Sequence, residues 1–221
     1  MPEISFDETF HVENGKPSYD TRYKRVMSFH NGIAPVETDE AAFFINLQNE
    51  ILFDRRFVKC YGFYEGLAAV KVSEGWFHID IEGRDLYSAR YKWAGNFQEN
   101  KCVVCDMQNN YFHIGRNGER CYKSNFTYTG DFKYGIAVAY NDKHKATHIF
   151  EDGSLVHGKY FLELDVFHKG YAVAKDEIGY YHIDKSGNEL YKERYLKLEP
   201  YYNGNSFATT IQGKKIVLIE P

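Results

Sequence analysis

The chain has 221 residues, 43% hydrophobic and 17% aromatic, with 19 Tyr and 17 Phe against 2 Trp and 5 Pro, and a net charge of −4. That length suits one large domain or two small ones, and its interspersed acids and bases offer no basic block for a nucleic-acid backbone. No stretch reaches the roughly 20 apolar residues of a membrane span, and MPEISFDETF has neither the basic start nor the apolar run of a secretory signal, so a cytoplasmic protein is expected.

In chain order, the first β-prone run is TFHVENG (9–15). FHNGIAPV (29–36) follows, then FYEGLAAV (63–70), FQENKCVV (97–104), FKYGIAVA (132–139), FHKGYAVA (167–174) and YYNGNSFA (201–208). Their glycine position falls at Gly32, Gly66, Asn100, Gly135, Gly170 and Gly204, spaced 34, 34, 35, 35 and 34. A second track, Gly15, Asn49, Gly83, Gly118, Gly153 and Gly187, keeps the same spacings. A third is aromatic: Tyr23, Phe57, Tyr91, Phe126, Phe161 and Tyr195. Three tracks in phase establish an internal repeat. Within a unit, LAAVKV (67–72) and WFHIDI (76–81) predict a β-hairpin. The glycine turn after it needs a positive-φ residue. A short further strand around YKWAGNF (91–97) follows. No 3.6-residue apolar period is sustained, so little helix is expected.

These observations predict an all-β single domain over 1–221 of about six tandem units of some 35 residues, divided roughly at 9–31, 32–65, 66–99, 100–134, 135–169, 170–203 and 204–221. One unit cannot bury a core alone, so neighbours must stack, with Phe29, Phe63, Phe97, Phe132, Phe167 and Tyr201 as the expected layer between them. Both TFHVENG and KKIVLIEP (214–221) lie inside a unit, which favours a propeller-like ring over an open β-solenoid. Cys102 and Cys105 form a CxxC, but three residues apart on a strand they point to opposite faces, and no second metal-spaced pair accompanies them. Free thiols are expected for Cys60, Cys102, Cys105 and Cys121, with no metal and no cofactor.

The stretch EGLAAVKVSEGWFHIDIEGRDLYSARYKWAGNFQENKCVV resembles the bacterial WG-containing β-repeat in its phase and glycine placement. The resemblance runs from about residue 10 to the C-terminus and departs at the name-giving dipeptide: Trp76 is followed by Phe77, Tyr180 by Tyr181, and His often stands where the family has Tyr. It implies a β-repeat scaffold, alone or beside other domains, and no catalytic residues.

The repeated histidines are His11, His78, His113, His148 and His182, with Phe44 and Ile216 at the same position in the remaining units. On a strand His78 shares a face with Trp76 and Asp80, while Phe77 and Ile79 take the other. The Phe/Ile face is the expected core. The His face either lines a groove as a ligand row of His11, His78, His113, His148, His182, Trp76, Asp80, Tyr180 and Asp184, or makes a repeated hydrogen bond between units. Asp80 and Asp184 precede turns, where Asp commonly bonds its own backbone. His30, His144, His157 and His168 show no partner pattern. No nucleophile, metal or phosphate-loop motif is present. The reading is a non-catalytic scaffold presenting a Tyr-rich repeat surface to a protein partner. The alternatives are a carbohydrate-binding module using Trp76, Trp93 and Tyr180, or a sugar-directed hydrolase in a central channel, for which Glu163, Asp165 and Glu199 break the repeat.

Overall fold

The structure is a computed structural model that describes residues 1–221. It contains twenty-one short strands and no helix, so no helix is long and apolar enough to cross a membrane. The chain divides into two compact units, residues 1–109 with 113–120, and residues 110–112 with 121–221.

In unit 1, β1 (Glu3–Ile4), β2 (His11–Glu13) and β3 (Lys16–Pro17) form one three-stranded sheet. β4 (Arg25–Val26), β5 (Ile33–Glu37) and β6 (Ala42–Asn46) form the next, and β7 (Lys59–Cys60), β8 (Leu67–Val72) and β9 (Gly75–Asp80) a third. β10 (Trp93–Ala94), β11 (Lys101–Cys105) and β12 (Tyr111–Gly115) repeat the order, with the division between units passing through β12. In unit 2, β13 (Tyr128–Thr129), β14 (Ile136–Tyr140) and β15 (Ala146–Phe150) form a sheet. β16 (Glu163–Leu164), β17 (Ala172–Lys175), β18 (Tyr180–Ile183), β19 (Tyr195–Leu198), β20 (Asn205–Thr210) and β21 (Lys215–Ile219) join into six strands in chain order. All pairings are antiparallel.

The Phe-x-x-Gly signature has a sharper role than a strand start. Glu65 and Gly66 take φ of 50° and 78°, and Tyr64 and Leu67 exchange backbone hydrogen bonds of 2.8 and 2.9 Å. Two consecutive positive φ angles between bonded neighbours make a two-residue hairpin turn of the I′ type, whose twist suits antiparallel strands. The same pair of angles recurs at Asn31–Gly32, Glu99–Asn100, Tyr134–Gly135, Lys169–Gly170 and Asn203–Gly204. The signature therefore joins each unit's short strand to its first long one.

The second glycine track answers to two constraints. Gly118 has φ +75°, and a Cβ there would lie 2.6 Å from the Tyr87 side chain of the preceding repeat. Gly153 meets Tyr122 at 2.6 Å and Gly83 meets Phe53 at 2.9 Å in the same way. Each of these turns is the seat of the aromatic one repeat earlier.

The expectation of one core face and one open face does not hold for the hairpins. Phe77, His78 and Ile79 are all fully buried. On one side Phe77, Ile79, Ala68 and Val70 pack with Ala42 and Phe44 of the previous sheet and with Phe57 and Phe63, which flank β7. On the other, His78 meets Phe97, which lies between β10 and β11 of the next sheet, at 4.7 Å between ring centroids. A sheet held between two neighbours buries both faces, which explains the nearly continuous apolar strands. In the last hairpin Val217, not Ile216, takes the histidine place. It lies opposite Phe207, as His182 lies opposite Val173 and His78 opposite Ala69. Counted between these paired positions, the β20–β21 connection is one residue longer than those of β8–β9 and β17–β18, which moves the place from Ile216 to Val217 while the cross-strand pairing stays the same.

Candidate functional site

The histidine row is a set of internal ties. His78 Nε2 lies 2.8 Å from the Gly95 carbonyl and its Nδ1 2.5 Å from the Tyr87 hydroxyl. His11 repeats this with Met27 at 2.9 Å and Tyr19 at 2.5 Å, and His182 with Glu199 at 3.0 Å and Tyr191 at 2.6 Å. A carbonyl only accepts, so Nε2 carries the proton and Nδ1 accepts from the phenol. The ring is thereby held neutral. Burial pushes His78, His148 and His182 down to about 4, against a smaller upward pull from the carbonyl each one bonds. The conserved-phase aromatics close over the imidazoles, Phe29 on His11 at 4.3 Å, Phe167 on His148 at 4.0 Å and Tyr201 on His182 at 4.1 Å. His113 is equally buried.

The other residues of the expected ligand row are not gathered around these rings. Trp76 is buried and stacks on Tyr61 at 4.7 Å and 22°. Asp80 accepts from the backbone N–H of Glu82 and Arg84 at 3.0 and 2.9 Å, and Asp184 from those of Ser186 and Asn188 at 2.9 and 2.8 Å. Both carboxylates stabilise their own turns. Tyr180 donates to Glu163 at 2.7 Å, and Lys175 pairs with the same carboxylate at 2.5 Å. Cys60, Cys102 and Cys105 are buried free thiols and Cys121 is half-buried. Cys102 Sγ donates toward the Gly95 carbonyl at 3.3 Å.

Two patterns escaped the sequence reading. His157 stands where Tyr19, Tyr87 and Tyr191 stand in their repeats and lies 3.0 Å from His148. The Lys159 N–H donates to His157 Nδ1 at 3.2 Å, and His148 Nε2–H to the Asp165 carbonyl at 2.9 Å, so protons run in one direction through both rings. Arg22, Arg56, Arg90 and Arg194 form a fourth track one residue before the third aromatic track. Their guanidinium groups lie over Phe10, Phe43, Phe77 and Tyr181 at 3.8, 4.5, 3.6 and 3.7 Å. The spacing was the available signal for both.

The surface of unit 2 carries a pocket of about 770 Å³. Three successive repeats supply it from equivalent positions: Gly130, Asp165 and Glu199 from one, and Lys133, His168 and Tyr202 from another. Val138 and Leu164 form an apolar floor. Tyr128 and Tyr140, opposite each other on β13 and β14, form an aromatic wall at 6.0 Å. His168 stacks on Tyr202 at 5.8 Å and 15°, and its buried Nε2 has no hydrogen-bond partner. Asp165 is held above the usual carboxylate range, first by desolvation and then by the Glu163 charge. The buried histidines fix this site from behind, because His148 and His182 bond the carbonyls of Asp165 and Glu199.

Small antiparallel sheets repeated every 34 or 35 residues define an all-β, propeller-like repeat protein. Residues 13–40 and 43–76 match the WG-containing repeat family, so these two segments are WG-containing repeats, and the rest of the chain keeps their spacing. Among solved structures, the computationally designed Ika8 protein is similar over 99% of this chain and 80% of its own, at 13% identity and a TM-score of 0.51. BamB from Moraxella catarrhalis is similar over 96% of this chain and 77% of its own, at 10% identity and a TM-score of 0.51. Kluyveromyces lactis Hsv2 with loop 6CD replaced by a Gly-Ser linker matches over 85% and 74%, at 9% identity and a TM-score of 0.50. At such identities the likeness is one of fold. No curated protein matches the sequence.

Proposed function

We propose that this protein is a non-catalytic, cytoplasmic binding scaffold whose unit 2 pocket takes a basic side chain and its apolar flanks from a protein partner. The observation that carries the reading is the pocket itself. Its volume of about 770 Å³ falls in the range of ligand-binding clefts, roughly 300–1,000 Å³. Tyr128 and Tyr202 stand 51% and 69% exposed at its edge. Such rings give large contact area at low entropic cost and attract cations over their faces. The Asp165 and Glu199 carboxylates line it beside a single ammonium, that of Lys133. A cation entering there pairs with the Asp165 and Glu199 carboxylates.

The test is selection from a displayed random peptide library, run beside a glycan array. Peptides with Arg or Lys next to apolar residues are expected, with binding weakened at least tenfold by Asp165→Asn with Glu199→Gln and by Tyr202→Ala. Glycan capture without peptide binding, or peptide binding untouched by these variants, would overturn the reading. Trp76, one of the three aromatics of the carbohydrate alternative, is packed against Tyr61.

A further inference from the structure

The second surface concerns β21, which lies at the end of the six-stranded sheet. Its inner edge pairs with β20 over Asn205–Ile219 to Thr209–Lys215. Hydrogen bonds from Thr210 to the Lys214 carbonyl and from Glu220 to the Gly204 carbonyl, both 2.9 Å, set the alternation along the hairpin. Even-numbered residues of β21 therefore bond β20. Lys215, Val217 and Ile219 turn their N–H and C=O groups outward, where no strand receives them. On the same residues, Val217 and Ile219 are 50% and 71% exposed, beside Phe207 at 60%. An unpaired, β-branched edge of this kind is a template for another strand.

We propose that β21 pairs with β21 of a second copy of this chain, antiparallel and centred on Val217, to make one continuous sheet across a two-fold axis. The sequence GKKIVLIE (213–220) is complementary to itself in that register. Val217 meets Val217, Lys215 meets Ile219, and Lys214 meets Glu220 on both sides of the axis. All three outward residues then exchange both backbone bonds. A register shifted by one step either way brings Gly213 or Pro221 opposite an outward residue and separates Lys214 from Glu220. A two-fold axis closes the assembly at two copies.

Sedimentation velocity over a concentration series tests this, with far-UV circular dichroism confirming the fold of each variant. The intact chain is expected to form dimers. Lys214→Glu places Glu opposite Glu twice per dimer and should raise the dissociation constant about tenfold at low salt. Adding Glu220→Lys to that variant restores the opposite charges and should restore the dimer. Val217→Pro removes an outward N–H without touching the β20 ladder and should leave a folded monomer. A wild-type monomer at 100 µM, approximately the top of such a series, would overturn the proposal. So would a dimer indifferent to both Lys214→Glu and Val217→Pro, or a charge swap that fails to rescue. Peptide capture by the pocket is read separately, so either idea can fail alone.

Discussion

Replacing His78 and Tyr87 by phenylalanine, singly and together, tests the role assigned to the histidine row. The second repeat already shows the apolar version: Phe44 and Phe53 occupy these two positions and meet at 5.7 Å, against 5.8 Å for His78 and Tyr87. His78→Phe leaves the Tyr87 hydroxyl without its acceptor and the Gly95 carbonyl without its imidazole donor. Tyr87→Phe leaves Nδ1 unpaired. Each stranded polar group costs about 1–3 kcal/mol. The double variant strands neither the Tyr87 hydroxyl nor Nδ1, and the Gly95 carbonyl keeps the Cys102 thiol, so its loss should fall short of the sum by about 2 kcal/mol or more. The pH dependence gives a second handle. The folded-state value of His78 is about 4, below the ordinary 6.5. Its contribution is complete above pH 6.5 and is lost as pH falls through the folded value, because the unfolded chain takes the proton first. At about 1.4 kcal/mol per pH unit, wild type should lose about 2.5 kcal/mol more than the double variant between pH 7.5 and 4.5. Urea unfolding followed by tryptophan fluorescence suits the measurement, since Trp76 and Trp93 both lie in the unit that holds His78. Additive single losses, or equal pH dependence in wild type and double variant, would refute the assignment.

Three further outcomes follow from the same geometry. Gly118→Ala combines a positive φ with a Cβ 2.6 Å from Tyr87, whereas Gly135→Ala has the φ alone with nothing within 4 Å. Thermal melts should show a loss of about 1 kcal/mol for the second and at least about twice that for the first. His157→Tyr installs the phenol found in the neighbouring repeats. His157 is itself lowered, mainly by desolvation and then by Lys159. Its replacement should change stability at pH 7.5 by less than about 1 kcal/mol and raise it at pH 5, where the unfolded chain no longer gains that proton; melts at the two pH values decide. Arg90→Lys should cost about 1–2 kcal/mol in urea unfolding, because an ammonium cannot at once cover Phe77, pair with Asp85 and bond the carbonyls of Ser88 and Ala89.

The sequence alone determined the period, the hairpins and the class of fold. Hairpin signals are local: LAAVKV and the run after it became β8 and β9 within a residue, and Asp80 bonds the turn that follows it, as its position implied. Glycine spacing carries phase for the same reason, since each turn needs its own backbone angle. What a face touches is not local. Only the tertiary structure placed a neighbouring repeat on both sides of His78 and set Tyr87 against Gly118. It likewise paired His157 with His148, two rings nine positions apart whose connection no strand periodicity marks. The pocket depended on it most. Asp165 and Glu199 were visible as breaks in the repeat, but that they share a cleft with His168 and Tyr202 follows from how three stacked repeats bring equal positions together, a property of the stack and of no single unit.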